Sequence, residues 1–140
     1  AVDGRRTVAV LRPVARLIGS DLLSFRCELA AEVSGWSVSS TWTAHVEPAD
    51  QERTIAALAT LPELRMCLSM TGDANIAMTV WTRSLHDMLR IERLFGERLP
   101  WMRLRDNAVN LRTPKRMGWM LDERGRATGE VVVPTALAAR

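Results

Sequence analysis

Two strand-helix-strand units in succession, giving a four-stranded antiparallel sheet with two helices on one face, are the α+β architecture that this sequence predicts. Three observations lead there. Strict polar-apolar alternation marks several short segments as strands, and apolar residues at helical spacing fill the intervals between them. A helix stop, Leu61-Pro62-Glu63-Leu64-Arg65, returns 38 residues later as Leu99-Pro100-Trp101-Met102-Arg103. The chain is 140 residues long, 47% hydrophobic and 25% charged, which suits one ordinary domain that needs neither disulfide nor metal to hold its core.

The first strand is predicted from Val38 to Val46, with Val38, Trp42, Ala44 and Val46 on one face and Ser39, Thr41, Thr43 and His45 on the other. Pro48 ends it and Asp50 can cap the helix that follows. Ile55, Leu58 and Leu61 recur at helical spacing, and Pro62 disfavours continuation. Next, Leu64, Met66, Leu68 and Met70 alternate with Arg65, Cys67, Ser69 and Thr71, which predicts a second strand with the apolar set inward. Thr71-Gly72-Asp73-Ala74-Asn75 has turn chemistry, and Ile76, Met78 and Val80 resume the alternation.

Ser84 with Asp87 forms a capping box, opening a helix whose Leu85, Met88, Ile91, Phe95 and Leu99 make an inward stripe. Pro100 closes it. Met102 and Leu104 then alternate with Arg103 and Arg105, and a phase change at Asp106-Asn107 predicts a bulge in the fourth strand. The right-handed crossover rule puts both helices on the same side of the sheet. The prediction is therefore a ferredoxin-like βαββαβ sandwich over residues 36–114.

The open face of that sheet is predicted to carry Ser39, Thr41, Thr43, His45, Arg65, Cys67, Ser69, Thr71, Ala77, Thr79, Trp81, Arg103 and Arg105. Antiparallel sheets tolerate solvent on one side, so a wet face is one reading. Close approach of a second copy is the other, because the small side chains Thr41, Thr43, Cys67, Ser69 and Thr79 permit it. A homo-dimer or higher homo-oligomer is the expected state.

Several chemistries are excluded. Cys27 and Cys67 stand forty residues apart with no C-x-x-C, and His45 and His86 are isolated, so no metal site or cofactor is expected. Apolar runs fall well short of the roughly 18 residues of a membrane span, and residues 1–16 lack a signal-like apolar stretch, so a soluble, cytoplasmic protein is expected. The whole net charge of +3 sits in the first 26 residues, where five arginines face two aspartates. Such a segment fits either a solvated helix or a nucleic-acid contact. Within it, residues 7–18 read as a basic amphipathic helix disturbed by Pro13, stopped at Gly19-Ser20-Asp21 and followed by a strand from Leu22 to Leu29. Downstream, Asp122 to Arg126 reads as a polar turn, and residues from Thr128 as a tail within a C-terminal extension, 115–140.

The run from Leu61 to Asn75, the second Leu99-Pro100 and the segment Arg112-Thr-Pro-Lys-Arg-Met-Gly118 together resemble the effector-binding domain of the Lrp/AsnC (feast/famine) transcription regulators. Residues 1–29, through Val10-Leu-Arg-Pro-Val-Ala-Arg-Leu17 and Phe25-Arg-Cys-Glu-Leu-Ala30, look like the recognition helix and linker strand of that family's winged helix-turn-helix. A complete one needs about three helices, and only the last falls within this chain. The resemblance implies a non-enzymatic regulator that binds a small metabolite such as an amino acid and couples it to DNA binding. It assigns effector contacts to Thr71, Gly72, Asp73, Ala74 and Asn75, and DNA contacts to Arg5, Arg6, Thr7, Arg12 and Arg16. Asn75 stands where the family pattern has a second acid, which implies an effector less cationic than lysine or arginine. The rival expectation is a dimeric ferredoxin-like barrel enzyme, of a monooxygenase or haem-binding type, with His45 as its catalytic group.

Overall fold

The computed structural model describes residues 13–25 and 27–133. Residues 13–19 are helical (α1), and a single turn follows at Ala31–Ser34 (α2), ended by Gly35 in the left-handed region. Then come β1 (Val38–His45), a 3-10 turn at Pro48–Asp50, α3 (Gln51–Leu58), β2 (Leu64–Ser69), β3 (Ile76–Thr82), α4 (Leu85–Arg98) and β4 (Arg103–Val109). These four strands form one antiparallel sheet in the order β2-β3-β1-β4, so the predicted sandwich is the fold observed. A smaller antiparallel sheet, β5 (Lys115–Arg116), β6 (Trp119–Leu121) and β7 (Ala127–Val131), completes the described chain. Among the described residues no helix is long and apolar enough to cross a membrane, and no group of three or more His, Cys, Asp or Glu could hold a metal.

The core lies between the sheet and α3 and α4. Trp42, Ala44 and Val46 from β1 and its end meet Ile76, Met78 and Val80 of β3, and Leu58, Ile91, Phe95 and Leu99 cover them. Trp42 is the centre. Its ring meets Phe95 edge-on at 5.6 Å, and its Nε1 donates to Ser40 Oγ at 2.7 Å, which in turn donates to the Val80 carbonyl at 3.3 Å. The buried indole thus has both an aromatic neighbour and a satisfied N–H. Ser84 caps α4 as expected, its Oγ accepting from the Asp87 N–H at 3.2 Å. Leu85, placed in the inward stripe by spacing, is instead exposed in the first turn of α4. Asp50 makes no side-chain cap. The 3-10 turn starts at Pro48, and the Asp50 carboxylate turns to Arg53 at 2.7 Å.

The largest departure from the sequence reading is the phase of β2. Leu64 pairs with Val80, but Met66 pairs with Thr79 and Cys67 with Met78, so the strand carries one extra residue at Arg65. Directly paired residues share a face. Cys67 and Ser69 therefore lie on the helix-covered side, and Met66 and Leu68 on the open side, the reverse of the simple alternation. Burial pushes the Cys67 thiol pKa up, which keeps it a protonated packing group. The bulge lets Arg65 lie over the rings of Trp81 and Trp36, with guanidinium-to-centroid distances of 5.0 and 5.6 Å.

Two further expectations are corrected. No strand forms among the described residues of 22–29, because none of them finds a backbone ladder partner there, and Leu22, Phe25 and Leu29 stay exposed. The polar turn at Asp122–Arg126 does form, with the Asp122 carboxylate accepting from the Arg124 and Arg126 N–H groups at 2.9 and 2.8 Å. The Arg126 N–H above all holds its carboxyl below the usual range. That turn joins β6 to β7, so residues 127–131 are a strand and not a tail.

The two post-helix turns that mark the 38-residue repeat each reach across to the other helix. Glu63 receives a 2.6 Å bond from the Arg90 guanidinium of α4. Trp101, its repeat counterpart, donates from Nε1 to Thr54 Oγ1 of α3 at 2.8 Å, beneath an Arg53 guanidinium 3.7 Å from its ring centroid. Burial alone would raise the Glu63 carboxyl, but the Arg90 hydrogen bond, a backbone hydrogen bond and the Arg90 charge outweigh it and hold it below its ordinary pKa. A depressed native value stabilises the fold above the unfolded pKa and is lost as the pH falls through the native one. Urea unfolding is therefore expected to show Glu63→Gln destabilised by roughly 1–3 kcal/mol at pH 7. That difference should shrink as the pH falls through the ordinary carboxylate range and below it, through the lowered Glu63 value.

Candidate functional site

The segment 70–75 joins β2 to β3 at the end of the sheet where β1 finishes. Its form is set by three fixed points. Gly72 has φ +118°, a backbone region that side-chain-bearing residues rarely adopt. Asn75 is turned inward, with Nδ2 donating to the Val46 carbonyl at 2.7 Å and Oδ1 accepting from the Val46 N–H at 2.9 Å. The Asn75 N–H donates to the Ala44 carbonyl and its own carbonyl accepts from the Met70 N–H, both at 2.9 Å. Asn75 thus extends the ladder beyond Ile76, and both ends of its side-chain amide are used within the chain.

The third fixed point is His45. Its Nδ1–H donates to the Asp73 carbonyl at 2.7 Å, a tautomer dictated by the carbonyl being only an acceptor. The other ring nitrogen lies 3.6 Å from the Glu47 carboxylate. Asp73 holds its own carboxylate out from the loop, with one oxygen 3.2 Å from the Arg105 guanidinium. Arg105 reaches it through a bulge. The β1–β4 register shifts between Thr43 and Ala44, leaving Arg105 as the unopposed residue between Leu104 and Asp106. Bulges commonly re-aim a side chain in this way. The predicted phase change at Asp106-Asn107 is this feature, one residue earlier.

The result is a small exposed dipole. Asp73 supplies a carboxylate, Arg105 a guanidinium, and Gly72, next to Asp73 in the chain, a backbone free of side chain. An exposed ion pair of this sort contributes little to stability, so both groups can be shared with an incoming molecule at small cost. A zwitterion fits the polarity, with its ammonium on Asp73 and its carboxylate on Arg105 or the loop amides.

The sequence reading named Thr71, Gly72, Asp73, Ala74 and Asn75, and the structure brings them into one loop at the sheet end. It missed His45 as the tether and Arg105 as the counter-charge. The break in alternation at the fourth strand was the signal for Arg105. Of the residues assigned to DNA, Arg16 is exposed on α1, while Arg5, Arg6, Thr7 and Arg12 lie outside the described residues. Of the small residues assigned to the open face, Thr41, Thr43 and Thr79 share it; Cys67 and Ser69 do not, for the reason given by the β2 bulge. Their places are taken by Met66 and Leu68, 45% and 47% exposed.

No protein-family model and no curated protein matches this sequence. Solved structures do match its fold. The feast or famine regulatory protein from M. tuberculosis complexed with L-methionine superposes with a TM-score of 0.69 at 19% identity, over 79% of this chain and 75% of that one. B. subtilis LrpC gives 0.62 at 23% identity over 75% and 73%. E. coli AsnC gives 0.66 at 16% identity over 77% and 74%. The fold of this chain is the one these regulators share.

Proposed function

We propose, from the fold held in common with the Lrp/AsnC regulators, that this chain is the effector-sensing and oligomerising part of a cytoplasmic transcription regulator. The single observation that carries the reading is the 71–75 loop: a glycine-built turn with an anion and a cation 3.2 Å apart, set at the sheet end of a fold that in one neighbour is complexed with L-methionine. The effector class is a small neutral zwitterion, an amino acid or a close relative. Asp73 receives its ammonium and Arg105 or the loop amides its carboxylate, while Asn75 and His45 position the loop without touching the ligand. The open sheet face with Thr41, Thr43, Thr79, Met66 and Leu68 pairs with a second copy. Effector binding then favours one arrangement of the assembly over another, and that bias is what reaches DNA through the N-terminal segment.

The reading is not enzymatic. What supports this is the fold shared with solved regulators, among them the feast or famine regulatory protein complexed with L-methionine; in the barrel-enzyme alternative the catalytic group would be His45, whose Nδ1–H here tethers the Asp73 carbonyl. Thermal shift against the neutral amino acids tests the proposal. An effector at 100 times its dissociation constant should stabilise the fold by about 2.7 kcal/mol. That stabilisation is expected to disappear in Asp73→Ala and to weaken in Arg105→Gln. An effector whose affinity both variants leave unchanged would place the site elsewhere.

A further inference from the structure

At the far end of the sheet from the loop, five side chains form a linked series of guanidinium-over-indole contacts. Arg83 lies 5.4 Å from the centroid of Trp36, Arg65 lies 5.6 Å from Trp36 and 5.0 Å from Trp81, and Arg116 lies 5.0 Å from Trp81. Trp81 opposes Ser39 near the start of β1, whereas the loop meets β1 at Ala44. Beside the series, between the main sheet and the turn joining β6 to β7, is a cavity of about 300 Å³ whose wall includes Trp36, Trp81, Arg112, Arg116 and Arg124. We propose that this cleft is a second ligand site, independent of the 71–75 loop, and that it takes a small aromatic carboxylate.

Charge and shape both favour that class. Stacking on an indole uses the face of a guanidinium and leaves its in-plane N–H donors available. The guanidinium groups of Arg65, Arg83 and Arg112 make no hydrogen bond or ion pair with a described residue; Arg83 is held only through its carbonyl, which accepts from Ser37 Oγ at 3.0 Å. Arg116 holds Glu28 through one nitrogen at 3.1 Å. Of the two acids on the cavity wall, Asp122 already accepts from two backbone N–H groups. Glu123 keeps a negative charge at the wall, which disfavours a dianion such as phosphate relative to a monocarboxylate. The half-buried indoles supply an apolar wall for a flat ring, and the volume lies at the small end of the range for ligand pockets, enough for one ring and its acid group. A carboxylate can engage Arg112 bidentately while the ring lies against tryptophan.

Benzoate is the probe, and the five indole N–H resonances of the intact, isotopically labelled chain are the readout. Saturable shifts are expected at Trp36 and Trp81, with Trp42 and Trp101, which face the core and α3, unmoved. Arg112→Gln alters an exposed residue with no bonds of its own to a described residue, and should weaken benzoate by about tenfold or more. Cyclohexanecarboxylate and inorganic phosphate should bind less well than benzoate. Absence of saturable shifts at Trp36 and Trp81, equal response to phosphate, or unchanged affinity in Arg112→Gln would overturn the proposal. Asp73→Ala separates the two sites: it should leave benzoate binding intact whether or not the loop binds an amino acid.

Discussion

Thr79→Arg is expected to sediment as a monomer at micromolar concentration, where the unaltered protein sediments as a dimer or larger. Thr79 lies on the open side of β3, opposed by Thr41 on one flank and Met66 on the other. An arginine there would stand in the middle of the sheet face proposed to meet a second copy. An unpaired charge enclosed in such an interface costs about 3–5 kcal/mol, enough to shift association by about a hundredfold or more. Ser69→Arg is the matched control. Ser69 opposes Ile76 on the helix-covered side, at the exposed edge of the sheet, so its charge would remain in water and the assembly should survive. Simple alternation along β2 expects both variants to disrupt the dimer; the bulge expects only the first. A monomeric unaltered protein would remove the interface altogether.

The second large effect concerns Trp42. Replacing it with alanine deletes the side chain that meets Phe95, leaves Ser40 Oγ without the indole N–H, and opens the centre of the core. Loss of a buried tryptophan of this kind costs about 3–5 kcal/mol, a large share of a stability that for ordinary domains is only about 5–15. Trp42→Phe should cost appreciably less, since it keeps the aromatic contact and loses only part of the volume. Urea midpoints measured on both variants check this. Similar losses in the two would mean that the hydrogen bond to Ser40, and not the filled volume, carries most of the effect.

Most of the sandwich was legible because its two central strands alternate without interruption. β1 and β3 bury every second residue along the ladder from Ser40–Val80 to Ala44–Ile76, and a period of two is all that sequence needs to assign a face. β2 defeated the same reasoning. Its bulge falls one residue inside the strand, and Met66, Leu68 and Met70 are apolar whichever way they point, so hydrophobicity gave no sign of the inversion. What accompanies the inversion is a long-range contact, Arg65 on Trp36 and Trp81, which no local pattern contains. β7 was hidden differently, because Gly129 at φ +91° interrupts an exposed strand that shows no apolar face.

The candidate site was legible in its covalent part and not in its assembled part. Glycine between polar neighbours announces a turn, and Asp73 within it announces an available anion. That Asn75 would close on Val46 follows only once β1 and β3 are paired, which brings residues 29 apart in sequence together. His45 and Arg105 come from strands on either side in the sequence, 28 and 32 residues from Asp73. Their roles depend on where two strands end and on where one of them bulges, and these are properties of the sheet.

The crossing of the two post-helix turns bears on how the molecule opens. Glu63 belongs to the first strand-helix-strand unit but fastens the helix of the second; Trp101 belongs to the second but fastens the helix of the first. The sheet order β2-β3-β1-β4 interleaves the units as well, so that each unit's strands are separated by one from the other. Neither half can detach as a cooperative subunit, since releasing either helix breaks a fastening that the opposite half supplies. The slowest-exchanging amides of α3 and α4 should therefore share a single opening free energy, equal to that of global unfolding.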